Sequence, residues 1–335
     1  MFKPKFRITS HLVKLFEGIV STSAMAKASV VKASIKTTVE RDVLARSVHS
    51  STWIEGNLLS LAQVRAMSQG EEVNAQEKQK REVANCINAM RWILKNKGKA
   101  VSESVVLVFH AKMTKDLLPP AKRGKYRNVQ NFIVNAKNQV IFTPPVIKKV
   151  PVLMCELMSW TKKIEEHPII RSAIFHHQFV AIHPFVDGNG RVARGVSQWL
   201  LWEKGLDPLY TLGLDEFFAQ DRARYYDLIQ QTHDMDGDYT YWIEYVAQGL
   251  LHSVKTTSQQ IQEASLRSKG LALTPKQDEL LDLLEKKGIL GGAQICYSMN
   301  INRARVNQLI APLIRAGIVQ KEGAARAVRY RLSMK

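Results

Sequence analysis

Cysteine is scarce in this chain, and its three copies lie far apart. They are Cys86, Cys155 and Cys296, with no Cys-x-x-Cys pair and no Cys/His cluster at metal-binding spacing. This pattern excludes a disulfide framework and argues against a structural zinc site. We therefore expect free thiols and a cytoplasmic protein.

Long apolar runs are also missing. No stretch approaches the roughly 18 consecutive apolar residues of a transmembrane helix, so we expect no membrane association. The basic N-terminus is followed by Lys14 and Glu17, which leave too short an apolar segment for a signal peptide. The apolar positions of residues 12–20 fit one face of an amphipathic helix, which predicts packing in the core.

Acidic residues are few relative to basic ones. The 335 residues include 48 Lys and Arg but only 30 Asp and Glu, a formal net charge of +18. The basic surplus is concentrated in residues 1–48 and 271–335. Such a surface favours an anionic partner, while the 45% hydrophobic content is that of a globular protein with room for two or three domains.

The most informative segment is residues 183–194, which read HPFVDGNGRVAR. Gly188 and Gly190 flank Asn189, so the backbone can approach a ligand closely. Arg191 then opens an apolar-periodic run that predicts a helix. Because a helix N-terminus presents free N–H groups and a positive dipole end, this loop is suited to binding phosphates.

Four side chains of the same segment fit chemistry on a nucleotide. Arg191 and Arg194 are three residues apart on the predicted helix, so both could reach phosphate oxygens. Asp187 could hold a Mg²⁺ ion that bridges those phosphates. His183 could act as a general base, with an ordinary pKa of about 6.5.

The segment matches HxFxDGNGRxxR in full and resembles the signature of Fic (filamentation induced by cAMP) proteins, most of which transfer AMP from ATP to a protein hydroxyl. The resemblance implies that His183 deprotonates a Ser, Thr or Tyr hydroxyl, which attacks the α-phosphate while diphosphate leaves. It implies ATP as substrate and Mg²⁺ on Asp187. Taken singly, His183 is an ordinary helix-ending residue and Arg194 a solvated one, but the complete pattern outweighs that interpretation. The phosphate contacts implied are Gly188, Asn189, Gly190, Arg191 and Arg194.

A second motif bears on regulation. Residues 51–56 read STWIEG and fit [S/T]xxxE[G/N], which marks an inhibitory helix in this family. The resemblance implies that Glu55, in the motif that Ser51 opens, pairs with Arg194 and blocks the position of the γ-phosphate. ATP would have to displace this charge-assisted pair. Because the motif lies upstream of the signature in the same chain, the resemblance implies that no separate antitoxin is required. Alternatively, Ser51 is an ordinary N-cap and Glu55 an ordinary helix end.

Two short β-prone runs precede the signature. Residues 131–134 and 140–142 are separated by a polar, turn-forming stretch and predict a hairpin. It resembles the family's flap, which pairs with the target backbone and aims its hydroxyl at His183. The alternative is a hairpin that only covers the core. The candidate docking residues are Asn131, Phe132, Ile133, Val134, Ile141 and Phe142.

Aromatic and histidine residues around the signature have simpler interpretations. We expect His176 to be a hydrogen-bonded structural residue. Tyr226 and Trp242 resemble residues of the helices that close the Fic core, and we interpret both as packing residues.

The C-terminal part resembles a winged helix-turn-helix. Residues 275–287, 292–299 and 302–316 predict three helices, and residues 318–332 carry two β-prone edges. The preceding residues 255–269 could be a helix or a linker. Duplex DNA is a candidate partner, and dimerisation or target docking is the alternative. The candidate DNA contacts are Arg303, Arg305, Asn307 and Gln308 on the third helix, with Arg326, Arg329 and Arg331 on the wing.

The sequence thus predicts a mainly α protein with a Fic-type helical core and β-hairpin flap, an N-terminal inhibitory helical region and a C-terminal winged helix. Its expected partner is a protein target, and a homo-oligomer is allowed. The expected domains are residues 1–95 (inhibitory helix near 45–60), 96–254 (flap 124–145, signature 183–194) and 271–335.

Three other functions stay open at this stage. The protein could be a DNA-binding transcriptional regulator whose Fic site senses nucleotide. It could be a metal-dependent hydrolase that uses His176, His177, His183 and Asp187. It could also remove AMP from a target, with Glu55 positioning the attacking water.

Overall fold

The structure is a computed structural model, and helices dominate it, as the sequence predicts. It divides into two compact units, Met1–Lys27 with Thr37–Thr257 and Ala28–Lys36 with Ser258–Lys335. In the part of the chain that is described, no helix is both long and apolar enough to cross a bilayer. The described residues are 2–28, 33–96, 99–134, 137–162, 166–203, 213–235, 237–268, 274–315, 318–323 and 328–332.

Eleven α-helices and one hairpin come before residue 269 in the described ranges. Residues 255–268 belong to the last of these helices, which settles the helix-or-linker alternative in favour of a helix up to Ser268. The elements are α1 (Ser10–Ala28), α2 (Ala33–Ile54), α3 (Leu61–Gln69), α4 (Glu77–Lys95), α5 (Glu103–Met113), β1 (Ile133–Val134), β2 (Val140–Phe142), α6 (Val150–Thr161), α7 (Pro168–Ile182), α8 (Asn189–Glu203), α9 (Leu214–Gln220), α10 (Arg222–Asp234) and α11 (Thr240–Ser268).

Helices α7 and α8 form the centre of the first unit. Both are buried on almost every face, as expected of a helix enclosed by other helices. Phe175 and Phe179 of α7 and Trp199 of α8 are fully buried. Gly195 of α8 lets α5 approach closely, because a Cβ there would lie 2.5 Å from Cζ of Phe109. This packing gives the α7–α8 connection a rigid base.

The signature segment spans the connection between these two helices. Helix α7 ends at His183, which adopts a left-handed conformation with φ of 51°. The end is enforced by Pro184, since the residue before a proline is disfavoured in the α-helical region. Gly188, with φ of 82°, turns the chain into α8 at Asn189. The loop is therefore short and held at both ends.

The inhibitory motif lies at the C-terminal end of α2. The helix already begins at Ala33 and ends at Ile54, so Ser51 lies inside its last turn and is not an N-cap. Glu55 follows in a turn that Gly56 closes with φ of 92°. The helix end thus presents Glu55 just beyond its last residue.

The predicted hairpin is present; β1 is shorter than its β-prone run, and β2 coincides with the run of residues 140–142. Strands β1 and β2 are antiparallel, with Ile133 opposite Phe142 and Val134 opposite Val140. A register irregularity separates the two pairs. The exposed apolar residues of the hairpin region are Phe132 (55%), Val134 (47%), Val140 (55%) and Ile141 (53%).

The second unit has its own small core. Leu280, Leu284, Ile295, Val306 and Leu313 are buried against one another. Its short first strand was not anticipated from the sequence, and it joins an antiparallel sheet of order β3-β5-β4. Its described elements are α12 (Pro275–Lys287), β3 (Leu290–Gly291), α13 (Gly292–Met299), α14 (Arg303–Arg315), β4 (Val319–Glu322) and β5 (Arg329–Leu332).

Candidate functional site

His183 stands at the mouth of the signature loop. Its ring Nδ1 lies 3.4 Å from the carbonyl oxygen of Val180. Because a carbonyl only accepts, this contact assigns the neutral ring an Nδ1–H and leaves the Nε2 lone pair free. Burial lowers the pKa of His183 below its ordinary value. The ring is therefore neutral at pH 7 and able to take a proton.

Arg127 fixes the backbone on which His183 sits. Its Nε donates to the His183 carbonyl oxygen (2.9 Å), and its backbone N–H donates to Pro184 O (2.8 Å). The same guanidinium donates to the carbonyls of Val129 and Pro145, at the base of the hairpin. The side chain thus connects hairpin and signature. Nothing in the sequence predicted this role, because the three carbonyl groups that accept from the Arg127 side chain come from separate segments of the chain.

His110 of α5 packs against the signature loop and hydrogen-bonds its backbone. Its Nε2 donates to Asp187 O (3.1 Å), its Nδ1 accepts from Gly124 N (2.9 Å), and its ring stacks on Phe185 at a centroid distance of 3.7 Å. Burial lowers the pKa of His110 to about 4. It is a neutral structural residue at pH 7, and sequence reasoning missed it because it lies 77 residues from Asp187.

The Asp187 carboxylate points outward from the loop. Its Oδ1 accepts from Gly188 N (2.6 Å), and both oxygens lie 3.4 Å from Nη2 of Arg191. The side chain is 55% exposed. One accessible carboxylate beside an anion-binding loop suits Mg²⁺, which is commonly held by one or two carboxylates together with substrate phosphates.

Asn189 acts on the loop itself through its side chain. Its Oδ1 accepts from Phe185 N and its Nδ2 donates to Phe185 O, both at 2.9 Å. This closed pair of hydrogen bonds shapes the turn and uses the side-chain amide. Any contact of Asn189 with a phosphate is therefore expected from its backbone.

Arg191 is buried with an unused donor. The residue is 4% exposed, and within the described ranges its Nε has no hydrogen-bond partner. Its guanidinium otherwise has only the long contacts to Asp187. A buried donor without a partner costs free energy, and an anion bound beside the loop would supply such a partner.

Arg194 is fully engaged with the end of α2. Its Nε donates to Ser51 Oγ (3.0 Å), and its Nη2 donates to Ser51 O (2.9 Å) and to Glu55 Oε1 (2.8 Å). Although burial opposes the charged form, Glu55, Tyr225 and Asp215 hold the pKa of Arg194 above its usual range. The structure thus joins the arginine and glutamate that the two sequence motifs pair.

His176 and His177 are not available as a metal pair with His183 and Asp187. Nε2 of His176 bonds Tyr225 Oη (2.8 Å), Nε2 of His177 bonds Ile229 O (2.9 Å), and both rings are buried. Among the described residues, no group of three His, Cys, Asp or Glu side chains is placed to hold a metal. The hydrolase hypothesis finds no support in this geometry.

The two aromatic residues expected to pack behave differently. Trp242 is fully buried and donates from Nε1 to Ala173 O (2.7 Å). Tyr226 is 42% exposed, and the guanidinium of Arg222 lies 5.5 Å from its ring centroid. The packing interpretation of Tyr226 was wrong, because its neighbour Tyr225 takes the inward position on α10.

The candidate DNA contacts of the C-terminal part also differ in their exposure and in their partners. Arg305 is exposed and hydrogen-bonds Gln308 Oε1 (3.1 Å), and Asn307 is also exposed. The guanidinium of Arg303 lies over Gly292, where a Cβ would be 1.4 Å from its Nη1, so this arginine joins α14 to α13. In the hairpin Arg329 is exposed, Arg331 pairs with Glu322, and Arg326 lies outside the described residues.

Comparison with known proteins identifies the domain. The model of the Fic/DOC family matches residues 100–201, which hold the signature and the hairpin. The chain contains a Fic domain. The matched residues begin before α5, run into α8 and include His110, His183 and both signature arginines.

Curated relatives and solved structures agree with the assignment of the Fic domain. Protein adenylyltransferase Fic of Aedes aegypti is 27% identical over 255 residues, 72% of this chain and 47% of that protein. Protein adenylyltransferase fic-1 of Caenorhabditis elegans is 27% identical over 254 residues, 71% of this chain and 46% of that protein. The chain thus spans less than half the length of these relatives.

Two solved structures share the fold. A crystal structure of a Fic family protein from Desulfovibrio desulfuricans superposes with a TM-score of 0.68 and 24% identity, covering 100% of this chain and 99% of the other. Fic-1 of C. elegans, residues 134–508, gives 0.59 and 22%, covering 75% and 73%. At these identities the similarity establishes the Fic-type helical fold.

Proposed function

We propose that this protein is an adenylyltransferase, which moves AMP from ATP to a Ser, Thr or Tyr hydroxyl of a protein target. The observation that carries this proposal is the neutral His183 beside a loop whose Arg191 has an unpartnered buried donor. The activity in the names of the curated relatives supports it. The free thiols of all three cysteines fit the cytoplasm as its location.

The chemistry follows from the positions of these groups. The target hydroxyl loses its proton to His183 Nε2 as its oxygen bonds the α-phosphorus of ATP. The bond from that phosphorus to the bridging oxygen breaks, and diphosphate leaves with the electron pair. The amides of residues 188–190 and the Arg191 guanidinium stabilise the charge that builds on the phosphates. Most of the rate enhancement then comes from positioning and charge stabilisation.

Asp187 is the residue that would hold Mg²⁺. The ion supplies charge neutralisation on the phosphate oxygens when bound. His110 keeps the Asp187 backbone in place through its Nε2, and the Gly188 N–H keeps the carboxylate oriented. The exposed Asp187 side chain can therefore meet a nucleotide without rearrangement of the loop.

Inhibition in cis is the second part of the proposal. Glu55 takes the Nη2 edge of Arg194, which the γ-phosphate would need. Because Arg194 is almost fully buried, a carboxylate competes there as a charge-assisted partner. ATP binds productively only when Glu55 moves aside. Release of Glu55 thus sets the level of activity.

The hairpin is the proposed docking site for the target. Ile133 and Phe142 face inward as a pair, and Phe142 stacks on His233 at 4.6 Å. Phe132, Val134 and Ile141 are exposed beside the unpaired strand edges. An extended target segment can add as a strand there, since main-chain hydrogen bonds need no particular sequence. Asn131 ties this edge to the signature by donating to Phe185 O (3.0 Å).

The test is transfer of α-labelled AMP from ATP in the presence of Mg²⁺, read as label on protein and as intact mass. The native protein, Glu55→Gly and His183→Ala are compared. We expect strong self-labelling by Glu55→Gly, at least tenfold above the native protein, and none by His183→Ala. A mass increase of one AMP on the labelled protein identifies the transferred group.

One result of this experiment would contradict the proposed transferase activity. If none of the three proteins labels while calorimetry shows that ATP binds, the transferase proposal is wrong. The same proteins are then given AMP-modified substrate, because Glu55 could instead orient a water for AMP removal. Loss of that hydrolysis in Glu55→Gly would establish the removal reaction.

A second candidate function is duplex DNA binding by residues 274–332, with the Fic site sensing nucleotide. The order helix, strand, two helices and hairpin supports a winged helix-turn-helix. Charge is segregated within this unit, which favours an anionic partner for α14. All four acids of the three helices lie on α12, whereas α14 carries Arg303, Arg305 and Arg315 and no acid.

The test is the salt dependence of duplex DNA affinity. Arg305→Ala should weaken binding and reduce the slope of log affinity against log salt by about one if Arg305 contacts a phosphate. Lys276→Ala on α12, a lysine paired with Glu279, is the matched control. Binding that survives His183→Ala separates this function from transfer. Absence of salt-dependent binding leaves dimerisation or target docking as the role of the unit.

A further inference from the structure

A second carboxylate lies against Arg194, beside Nε, whereas Glu55 contacts Nη2. Asp215 of α9 places Oδ1 3.1 Å from Arg194 Nε. The single Nε hydrogen is already donated to Ser51 Oγ, so the Asp215 contact is electrostatic. Oδ2 of Asp215 accepts from Ser47 Oγ (2.7 Å), which fixes the carboxylate's orientation. The Asp215 side chain is 5% exposed.

The two acids differ in how they are held. Glu55 is 33% exposed, lies in the turn after α2 and accepts one hydrogen bond from Arg194, through Nη2. Asp215 is buried, its Oδ2 accepts from Ser47 Oγ, and its Oδ1 has no hydrogen-bond donor among the described residues and lies beside the charged Arg194. Glu55 can therefore leave while Asp215 stays.

Departure of Glu55 removes a negative charge from beside the buried guanidinium of Arg194. The Arg194 side chain is 2% exposed, and a buried charge without a counter-ion is strongly unfavourable. With Asp215 in place, the guanidinium stays paired throughout. Its Nη2 edge can then exchange one anion, Glu55, for another, the γ-phosphate.

We infer that Asp215 is the permanent counter-ion of Arg194 and a positioning residue for the γ-phosphate. It keeps the guanidinium ordered and aimed when Glu55 is absent. This inference rests on the proposed nucleotide transfer for its ligand, though not for the geometry of the Asp215–Arg194 pair. Asp215 touches no reacting atom and acts only through Arg194.

The neighbouring residue provides a matched control. Glu216 lies on the same helix and pairs with Arg46 of α2, just as Asp215 hydrogen-bonds Ser47 of α2. Both acids hold α9 against α2, but only Asp215 contacts Arg194. A purely structural role in docking these helices would make the two substitutions alike.

The first experiment measures nucleotide affinity by calorimetry in the Glu55→Gly background. Asp215→Asn should lower ATP affinity at least tenfold and change ADP affinity less than twofold, because ADP has no γ-phosphate. Glu216→Gln should change neither more than twofold. Ser47→Ala, which frees Asp215 Oδ2 but keeps the charge, should give a smaller loss for ATP alone. If Asp215→Asn does not fold, the nucleotide affinities of Ser47→Ala test the role of Asp215 instead.

The second experiment needs no nucleotide. Hydrogen exchange at Arg194 Nε–H is followed by nitrogen NMR in Glu55→Gly, with and without Asp215→Asn. The substitution should speed exchange at least tenfold, whereas Glu216→Gln should leave it unchanged. Unchanged exchange with an unchanged ATP-to-ADP affinity ratio would overturn the inference. If Glu55→Gly binds neither nucleotide, the proposed transfer fails, and the exchange result alone decides the role of Asp215.

Discussion

Gly190 and Glu55 approach each other so closely that any side chain at position 190 would collide with the glutamate. A Cβ on Gly190 would lie 2.3 Å from Glu55 Oε1, the atom that accepts from Arg194. The contact between Glu55 and Arg194 therefore requires a residue without a side chain at position 190, in the first turn of α8. One glycine serves both the phosphate cradle and the inhibitory contact that we propose.

Gly190→Ala should release Glu55. Gly190 does not adopt a positive φ in the structure, so alanine fits the backbone, and the clash falls on the mobile end of a glutamate side chain. We expect ATP affinity severalfold above that of the native protein, measured by calorimetry. In the Glu55→Gly background the same substitution should add nothing. An equal loss of affinity in both backgrounds would show that the methyl group blocks the phosphates instead.

The pH dependence of transfer should reflect the environment of His183. Burial lowers the pKa of His183, and the neutral ring is the active base. The initial rate of Glu55→Gly should therefore rise with pH through a midpoint below 6.5 and approach a plateau above it. Rates between pH 5 and 8.5 at constant ionic strength measure this. A midpoint above 6.5 would contradict the proposed role of burial.

His110→Leu should destabilise the domain by about 1–3 kcal/mol at pH 7, since Gly124 N–H and Asp187 O lose their partner. Urea unfolding measures this, with the exposed His11→Leu as control. Because the folded pKa of about 4 lies below the unfolded value near 6.5, native stability falls as pH drops through that window. The stability gap between native and His110→Leu should narrow there, and a constant gap would argue against a neutral buried ring.

Arg127→Met should slow transfer more than it weakens ATP binding. The substitution removes donors from the carbonyls of His183, Val129 and Pro145, none of which belongs to the phosphate loop. We expect the turnover number of Glu55→Gly to fall at least tenfold and its ATP affinity to change less than twofold. Arg123→Met, whose arginine bonds Leu118 O and Asp116, is the control and should leave both within twofold.

Local sequence was sufficient wherever neighbouring residues form the feature. The turn from α7 to α8 could be predicted from Pro184, Gly188 and the apolar period of residues 192–200, because these act within a few residues of chain. The hairpin and the helices of residues 275–315 could be predicted for the same reason. The start of α2 at Ala33 could not, since its polar and apolar residues form no clear stripe.

The sequence by itself determined which chemical groups the site contains and the order in which they come along the chain. Only the tertiary structure decided which partners each group has. Arg194 hydrogen-bonds Ser51 and Glu55, which precede it by 143 and 139 residues. His110 hydrogen-bonds the backbone of Asp187, which follows it by 77 residues. A buried charge takes its partners from every segment packed around it, and packing of distant segments leaves no local period or motif in the sequence. For that reason Arg127, His110 and Asp215 became visible only in the fold.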